Sequence, residues 1–431
     1  MKFHSTNKIS PSVDFREATI RGQAPDRGLY YPDQIPSFTD SFIKGLKNMS
    51  KEDIAFTVIK PYTGESIPDE ELFRIVSETV NFDFPLVKVS DSAYSLELFH
   101  GPTLAFKDVG ARFMSRCLGY FSKDRQDKVY VLVATSGDTG SAVANGFYGV
   151  EGVEVVILYP SGKVSAVQEK QLTTLGKNIH SLEVDGTFDD CQKMVKQAFA
   201  DHDLSNKLFL TSANSINVAR WLPQQFYYFY ALQQWPGEHL PVISVPSGNF
   251  GNICAALIAY KSGLPVKHFV AACNANDVVP EYFKTGVYHP KPARATISNA
   301  MDVGDPSNFV RILELFNNEF GILKELISSY SISDDETKKT LLDVKNKYNY
   351  LMDPHGSVAY ASLQKYQIEN NNDSGIFLET AHPIKFYDVV EPLIGDKIGI
   401  PESLKDLMDR KKVSTRISTY YTEFKEFLLN K

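Results

Sequence analysis

Short apolar runs that end in a loop and lead into a helical stretch constrain this chain more than any other feature. Residues 129–134 read as one buried strand, and 153–159, 242–245, 269–272 and 376–378 repeat the pattern. Runs without polar alternation belong to strands covered on both faces, and the helical stretches between them provide the crossovers that parallel strands require. The expected class is therefore α/β, with mainly parallel sheets in two layered domains. At 431 residues the chain is too long for a single typical core. Residues 1–90 are mixed in pattern and rich in turn residues, as in Ala24-Pro25-Asp26-Arg27-Gly28, and are expected to form a separate N-terminal element. A small domain over 91–210 and a large one over 211–431 complete the expected division. Residues 369–373 read as a short polar loop.

Two of the strand-to-helix loops are rich in glycine. Thr135-Ser136-Gly137-Asp138-Thr139-Gly140 follows the first run and precedes a helix at 141–145. Glycines and hydroxyls there expose N–H groups aimed at an anion, although Ser, Thr and Asp are also ordinary helix caps. Pro246-Ser247-Gly248-Asn249-Phe250-Gly251-Asn252 follows the 242–245 run and opens a helix at 253–260. Two glycines three apart let the backbone approach a phosphate, and the helix N-terminus adds partial positive charge. Neither loop is G-x-G-x-x-G or a Walker loop, so nucleotide binding is unsupported.

The third element is Lys107, in Pro102-Thr103-Leu104-Ala105-Phe106-Lys107-Asp108. In apolar and aromatic company an ammonium is poorly solvated, its pKa falls, and the amine becomes nucleophilic near neutral pH. A lysine opening a surface helix with its head in water is the other reading of that segment. A lysine for an aldehyde, one loop for a phosphate and one for a carboxylate together match pyridoxal phosphate and an amino-acid substrate.

A net charge of -7 argues against nucleic acid or an anionic membrane as partner, so positive charge must be local to the site. Cys117, Cys191, Cys254 and Cys273 have no paired spacing and read as reduced core thiols. No apolar run is long enough to span a bilayer, and Met1-Lys2-Phe3-His4-Ser5-Thr6 lacks the apolar core of a signal peptide. The expected location is the cytoplasm. His100, His355 and His382 each adjoin Gly or Pro in a loop and form no metal-ligand spacing, so they read as structural and no metal is expected.

Further blocks accompany these: Asp14-Phe15-Arg16-Glu17-Ala18, Asn214-Ser215-Ile216-Asn217-Val218-Ala219-Arg220, Asn299-Ala300-Met301-Asp302-Val303-Gly304-Asp305, Met352-Asp353-Pro354-His355-Gly356 and Glu379-Thr380-Ala381-His382-Pro383. In this order, along almost the whole chain, the sequence resembles the threonine synthase family of fold-type II pyridoxal-phosphate enzymes, in its longer bacterial and fungal branch. One departure is Arg27, where the family's turn usually reads Asp-Gly-Gly-Leu.

The resemblance implies conversion of O-phospho-L-homoserine and water to L-threonine and phosphate; a monomer or homodimer is expected. It implies Lys107 as the Schiff-base lysine and proton shuttle. Gly248, Asn249, Phe250, Gly251 and Asn252 would cradle the cofactor phosphate through backbone N–H groups and the Asn amides. Thr380 would face the pyridine nitrogen, although by itself it reads as a strand-end threonine. Ser136, Gly137, Asp138 and Thr139 would lie near the substrate carboxylate, with Asp138 accepting loop N–H bonds. Asn214, Ser215 and Arg220 would hold the substrate phosphate, since arginine binds phosphate in a fork. Lys163 and Lys60 are weaker candidates, for which a solvated surface role is the alternative.

A phospholyase or a serine/threonine dehydratase on the same scaffold is the nearest rival, because fold and cofactor do not separate these chemistries. A non-catalytic pyridoxal-phosphate binder is a more distant one, and a dinucleotide oxidoreductase lacks its glycine motif. An Arg220 remote from the cofactor pocket would favour the dehydratase.

Overall fold

The computed structural model describes residues 1–123, 127–370 and 373–431. Asn371 and Asn372 of the expected polar loop lie outside the described residues. In chain order the strands are β1 (Phe3–Ser5), β2 (Tyr30–Pro32), β3 (Leu86–Lys88), β4 (Ala93–Glu97), β5 (Val129–Ala134), β6 (Val153–Pro160) and β7 (Ile179–Val184). They continue as β8 (Phe209–Ser212), β9 (Val242–Pro246), β10 (His268–Cys273), β11 (Ile327–Ser331), β12 (Gly375–Glu379) and β13 (Thr415–Ile417).

A six-stranded sheet runs β11-β10-β9-β12-β4-β3, parallel except for the edge strand β3, and a five-stranded sheet, β13-β7-β6-β5-β8, is parallel throughout. The five apolar runs are β5, β6, β9, β10 and β12. Every residue of β5, β9, β10 and β12 is buried, as strands covered on both faces must be.

Sheet membership departs from the expected division of the chain. β4 pairs with β12, so residues 93–97 belong with the larger sheet rather than the smaller one. β13 pairs with β7, so the C-terminal segment returns to the smaller sheet, where Phe424 and Leu428 join its outer apolar cluster. The N-terminal region packs on the apolar cluster that the two sheets share. Phe3, Phe15, Tyr30 and Ile54 belong to the same apolar cluster as Phe113, Val131, Phe226 and Ile253. The fully buried Arg311 binds it further, donating to the Tyr30 carbonyl (Nη2, 2.9 Å) while its guanidinium carbon lies 4.6 Å from the Trp221 ring centroid.

Helix Lys107–Ser122 crosses from β4 in one sheet to β5 in the other. It presents Val109, Phe113, Met114, Cys117 and Phe121 to the core. Helix Asp138–Phe147 packs against it through Gly146, where a Cβ would come within 3.3 Å of Ala111. The Arg27 departure has a backbone consequence: its φ is 66°, in the left-handed region that a glycine occupies without strain. The four cysteines are buried and unpaired.

Candidate active site

Both glycine loops, the Lys107 segment and Thr380 lie beyond the C-terminal ends of parallel strands, where open α/β sheets hold their ligands. The chain after β4 runs antiparallel to the chain after β12. Phe106 N–H donates to the Thr380 carbonyl (2.9 Å), His382 N–H donates to Leu104 (3.1 Å), and Ala105 bridges Ala381. Lys107 is thereby set beside Thr380, which is buried. The Tyr227 hydroxyl also donates to the Phe106 carbonyl.

Lys107 is half-buried, with its ammonium end desolvated and 5.7 Å from the Phe106 ring centroid. Burial lowers its pKa to about 8; Asp138 opposes the shift, while Lys385 and Arg220 add to it. Arg220 is buried against the same helix, for a Cβ on Gly110 would come 2.4 Å from its carbonyl oxygen and 3.3 Å from its Nε. Burial pushes the guanidinium down to about 10, against the pull of Tyr227 and Asp108. Its Nε and Nη1, and Asn214 Oδ1, are buried with no hydrogen-bond partner among the described residues. Buried guanidinium donors without a partner are costly, and those of Arg220 are available to an anionic ligand.

The loop after β9 is built to leave its backbone free. Phe250 adopts the left-handed region (φ 61°) and opens helix Gly251–Lys261, leaving the N–H groups of Asn249, Phe250 and Gly251 without a hydrogen bond among the described residues. A Cβ on Gly248 would come 2.7 Å from Met301 Cα, so the cradle admits no side chain there without movement. The Asn amides are partly engaged within the loop. Asn249 Nδ2 donates to Ser215 Oγ (2.6 Å), its Oδ1 accepts Ser307 N–H (2.7 Å), and Asn252 Nδ2 donates to the Pro246 carbonyl (2.7 Å). These bonds shape the loop, and each amide keeps a second N–H for an anion beside the backbone N–H groups. Ser215 Oγ also accepts from Asn308 Nδ2 (3.1 Å), which leaves its own proton to donate.

Asp138 differs from expectation. The loop N–H bonds go to Thr135 Oγ1, from Gly137 (3.0 Å) and Gly140 (2.9 Å). Asp138 Oδ1 instead meets Lys385 Nζ at 2.8 Å and Gln168 Nε2 at 2.9 Å. Burial alone would raise this carboxyl, but the Lys385 and Lys107 charges and the Gln168 bond hold it well below the usual carboxylate range. Ser136 and Thr139 are half-buried at the helix N-terminus, and Gly137 turns at φ 138°.

Two of the three histidines singled out in the sequence make bonds that shape their own segments. His355 Nδ1 lies 2.6 Å from Asp353 Oδ1, and its Nε2 accepts Ala300 N–H (3.2 Å), steadying the segment that touches Gly248. His382 caps the turn after β12, and burial pushes it down to about 4. Lys163 is exposed and Lys60 pairs with Asp69, so neither joins the cleft. Among the described residues no cluster could hold a metal, and no helix is long and apolar enough to cross a membrane. The sequence reading overlooked Lys385, Gln168 and Asn308. Lys385 carried a usable signal, since Ile384 and Phe386 flank it with the same apolar company that singles out Lys107.

A free helix-N-terminal cradle facing a lysine of lowered pKa, on two parallel sheets, is how a pyridoxal-phosphate-dependent enzyme holds its cofactor at both ends, and the residues present fit that group. The family model described as "Pyridoxal-phosphate dependent enzyme" matches residues 81–378, "Threonine synthase N terminus" matches 2–80, and "Threonine synthase, C-terminal" matches 357–428. The threonine synthase of Escherichia coli (strain K12) is 42% identical over 432 residues, covering 100% of both chains. A crystal structure of threonine synthase from Escherichia coli superimposes with a TM-score of 0.93 at 41% identity, covering 100% of each chain. A structure of PLP-bound threonine synthase from Brucella melitensis gives 0.94 at 34% identity, covering 100% of this chain and 99% of that one. The chain belongs to the threonine synthase family.

Proposed function

We propose that this protein converts O-phospho-L-homoserine and water to L-threonine and inorganic phosphate, as a cytoplasmic monomer or homodimer. The observation that carries the reading is Arg220, whose buried Nε and Nη1 lack partners among the described residues while its charge acts on Lys107. A guanidinium left unsatisfied beside the lysine favours a phosphorylated substrate over free threonine. The four unpaired thiols support a reducing compartment.

Lys107 is assigned the cofactor's aldehyde, the N–H groups of Gly248 to Asn252 its phosphate, and Thr380 the pyridine nitrogen. A neutral hydroxyl at that nitrogen does not enforce ring protonation. When bound, pyridoxal phosphate supplies the electron sink for carbanion character at Cα and then at Cβ. The N–H groups and hydroxyls of Ser136, Gly137, Asp138 and Thr139 orient the substrate carboxylate. Lys107 takes the Cα proton, releases it to water and then takes a Cβ proton; with a pKa of about 8 it can accept and return protons near neutral pH. Arg220, the Asn214 amide and the Ser215 hydroxyl hold the substrate phosphate, which leaves when its Cγ–O bond breaks. A proton then goes to Cγ, water gives its hydroxyl to Cβ, and Cα is reprotonated, so that substrate and water balance threonine and phosphate.

The test is incubation of the purified protein with O-phospho-L-homoserine, scoring threonine, phosphate and α-ketobutyrate together. Equal threonine and phosphate is the expected result. Phosphate with α-ketobutyrate would make the protein a phospholyase, and a yellow protein without turnover a binder.

A further inference from the structure

The proposed chemistry gives no part to Lys385, a fully buried lysine. Its Nζ lies 2.8 Å from Asp138 Oδ1 and 2.8 Å from the Thr103 carbonyl oxygen. Asp138 opens the helix behind the anion loop, Thr103 belongs to the Lys107 segment, and Lys385 sits in the turn after β12. One ammonium therefore joins three segments that arise from both sheets. Gln171 Nε2 donates to the same Thr103 carbonyl (3.1 Å), and Gln168 Nε2 to the same Asp138 oxygen (2.9 Å).

A buried carboxylate facing a loop meant for a substrate carboxylate would repel its ligand. A buried charge without a partner is also costly to hold in place. We propose that Lys385 is a positioning residue that fixes Asp138 behind the anion loop, cancels its charge toward the incoming substrate carboxylate, and sets the electrostatic field at Lys107. This rests on Lys107 as the cofactor lysine. The charged groups acting on Lys107 are Asp138, which favours the ammonium, and Lys385 and Arg220, which disfavour it; Asp108 and Tyr227 act on Arg220.

The signs make the test specific. In cofactor-free protein, competitive acetylation of Lys107 across pH, read by mass spectrometry at that residue, reports the inflection of its amine. Lys385→Met leaves Asp138 unopposed and moves the inflection above about 8. Asp138→Asn moves it below, and the double variant returns toward the wild type. In the loaded enzyme, Lys385→Met raises the KM for O-phospho-L-homoserine by a larger factor than it lowers kcat, and adding Asp138→Asn recovers most of that loss. Single variants that shift Lys107 in the same direction, or a double variant no nearer wild type than either single, would overturn the proposal. If Lys385→Met does not fold, the double variant against Asp138→Asn isolates the lysine's charge, and an unchanged inflection sinks it. Borohydride reduction of the loaded protein checks the underlying assignment separately: cofactor fixed to a different lysine would remove that assignment without touching the titration result.

Discussion

The loop after β9 and the loop after β5 both end at a helix N-terminus, yet they prepare for anions in opposite ways. The first is neutral and internally complete. Its Asn249 and Asn252 amides are bonded to Ser215, Ser307 and the Pro246 carbonyl, so backbone N–H groups and the second N–H of each amide remain to be occupied. The second carries a buried carboxylate and borrows an ammonium from 247 residues further along the chain. Close by, Arg220 and Asn214 keep polar atoms unsatisfied. The contrast suits a resident cofactor on one side and a passing substrate on the other. A ligand that stays can complete a rigid neutral cradle, whereas one that comes and goes needs groups that regain their balance when it leaves.

The most severe way to break this comparison is to remove the residue between the two loops. Lys107→Ala should abolish turnover and the visible absorbance of the lysine-bound cofactor, as read by product assay and spectrum. Threonine formed at an appreciable rate would end the assignment. Next in size is Arg220→Ala, which removes a charged donor from the substrate side. Losing a buried charged partner weakens binding by about 2–5 kcal/mol, or roughly thirtyfold and more in KM. The affinity for pyridoxal phosphate, measured by equilibrium dialysis, should change far less. Equal loss of both would make Arg220 structural and erase the division between the two sides.

Much of this was legible in the sequence where the physics is local. β5, β9, β10 and β12 are buried on both faces, so their apolar runs announce them. β7 was not legible, because its polar residues have remote partners: Glu183 meets Lys412, and Ser181 Oγ donates to the Leu172 carbonyl. Lys107 and both loops stood out by type and setting, whereas Arg220 entered only through the family resemblance. The bonds that shape the loop were not legible, because the partners of the Asn249 amide, Ser215 and Ser307, lie 34 and 58 residues away from it. Lys385 was overlooked for the same reason: its distance from Asp138 along the chain hides the pairing that makes it necessary.

The cradle itself is tested by filling it. Gly248→Ala places a Cβ 2.7 Å from Met301 Cα and 3.0 Å from the Ala300 carbonyl oxygen, and both are backbone atoms. Overpacking of this kind costs about 1–3 kcal/mol, which corresponds to roughly fivefold to a hundredfold weaker cofactor binding. The KM measured with saturating cofactor should stay close to wild type. A raised KM with unchanged cofactor affinity would mean that this loop serves the substrate.

The smallest effect separates the lysine from the neutral cradle by pH. Lys107, lowered by burial to about 8, is mostly protonated at pH 7 and mostly neutral at pH 9. Only the neutral amine attacks an aldehyde, so capture of pyridoxal phosphate by the cofactor-free protein should rise by about tenfold across that interval and then level off. The N–H groups of the phosphate cradle do not titrate there and contribute no slope of their own. A water-solvated lysine would still be gaining neutral amine at pH 10 and above. Stopped-flow absorbance at fixed cofactor distinguishes the two. A plateau near pH 9 keeps Lys107 in the desolvated cleft, and a rate still climbing past pH 10 would return it to the solvated surface helix that its sequence also allowed.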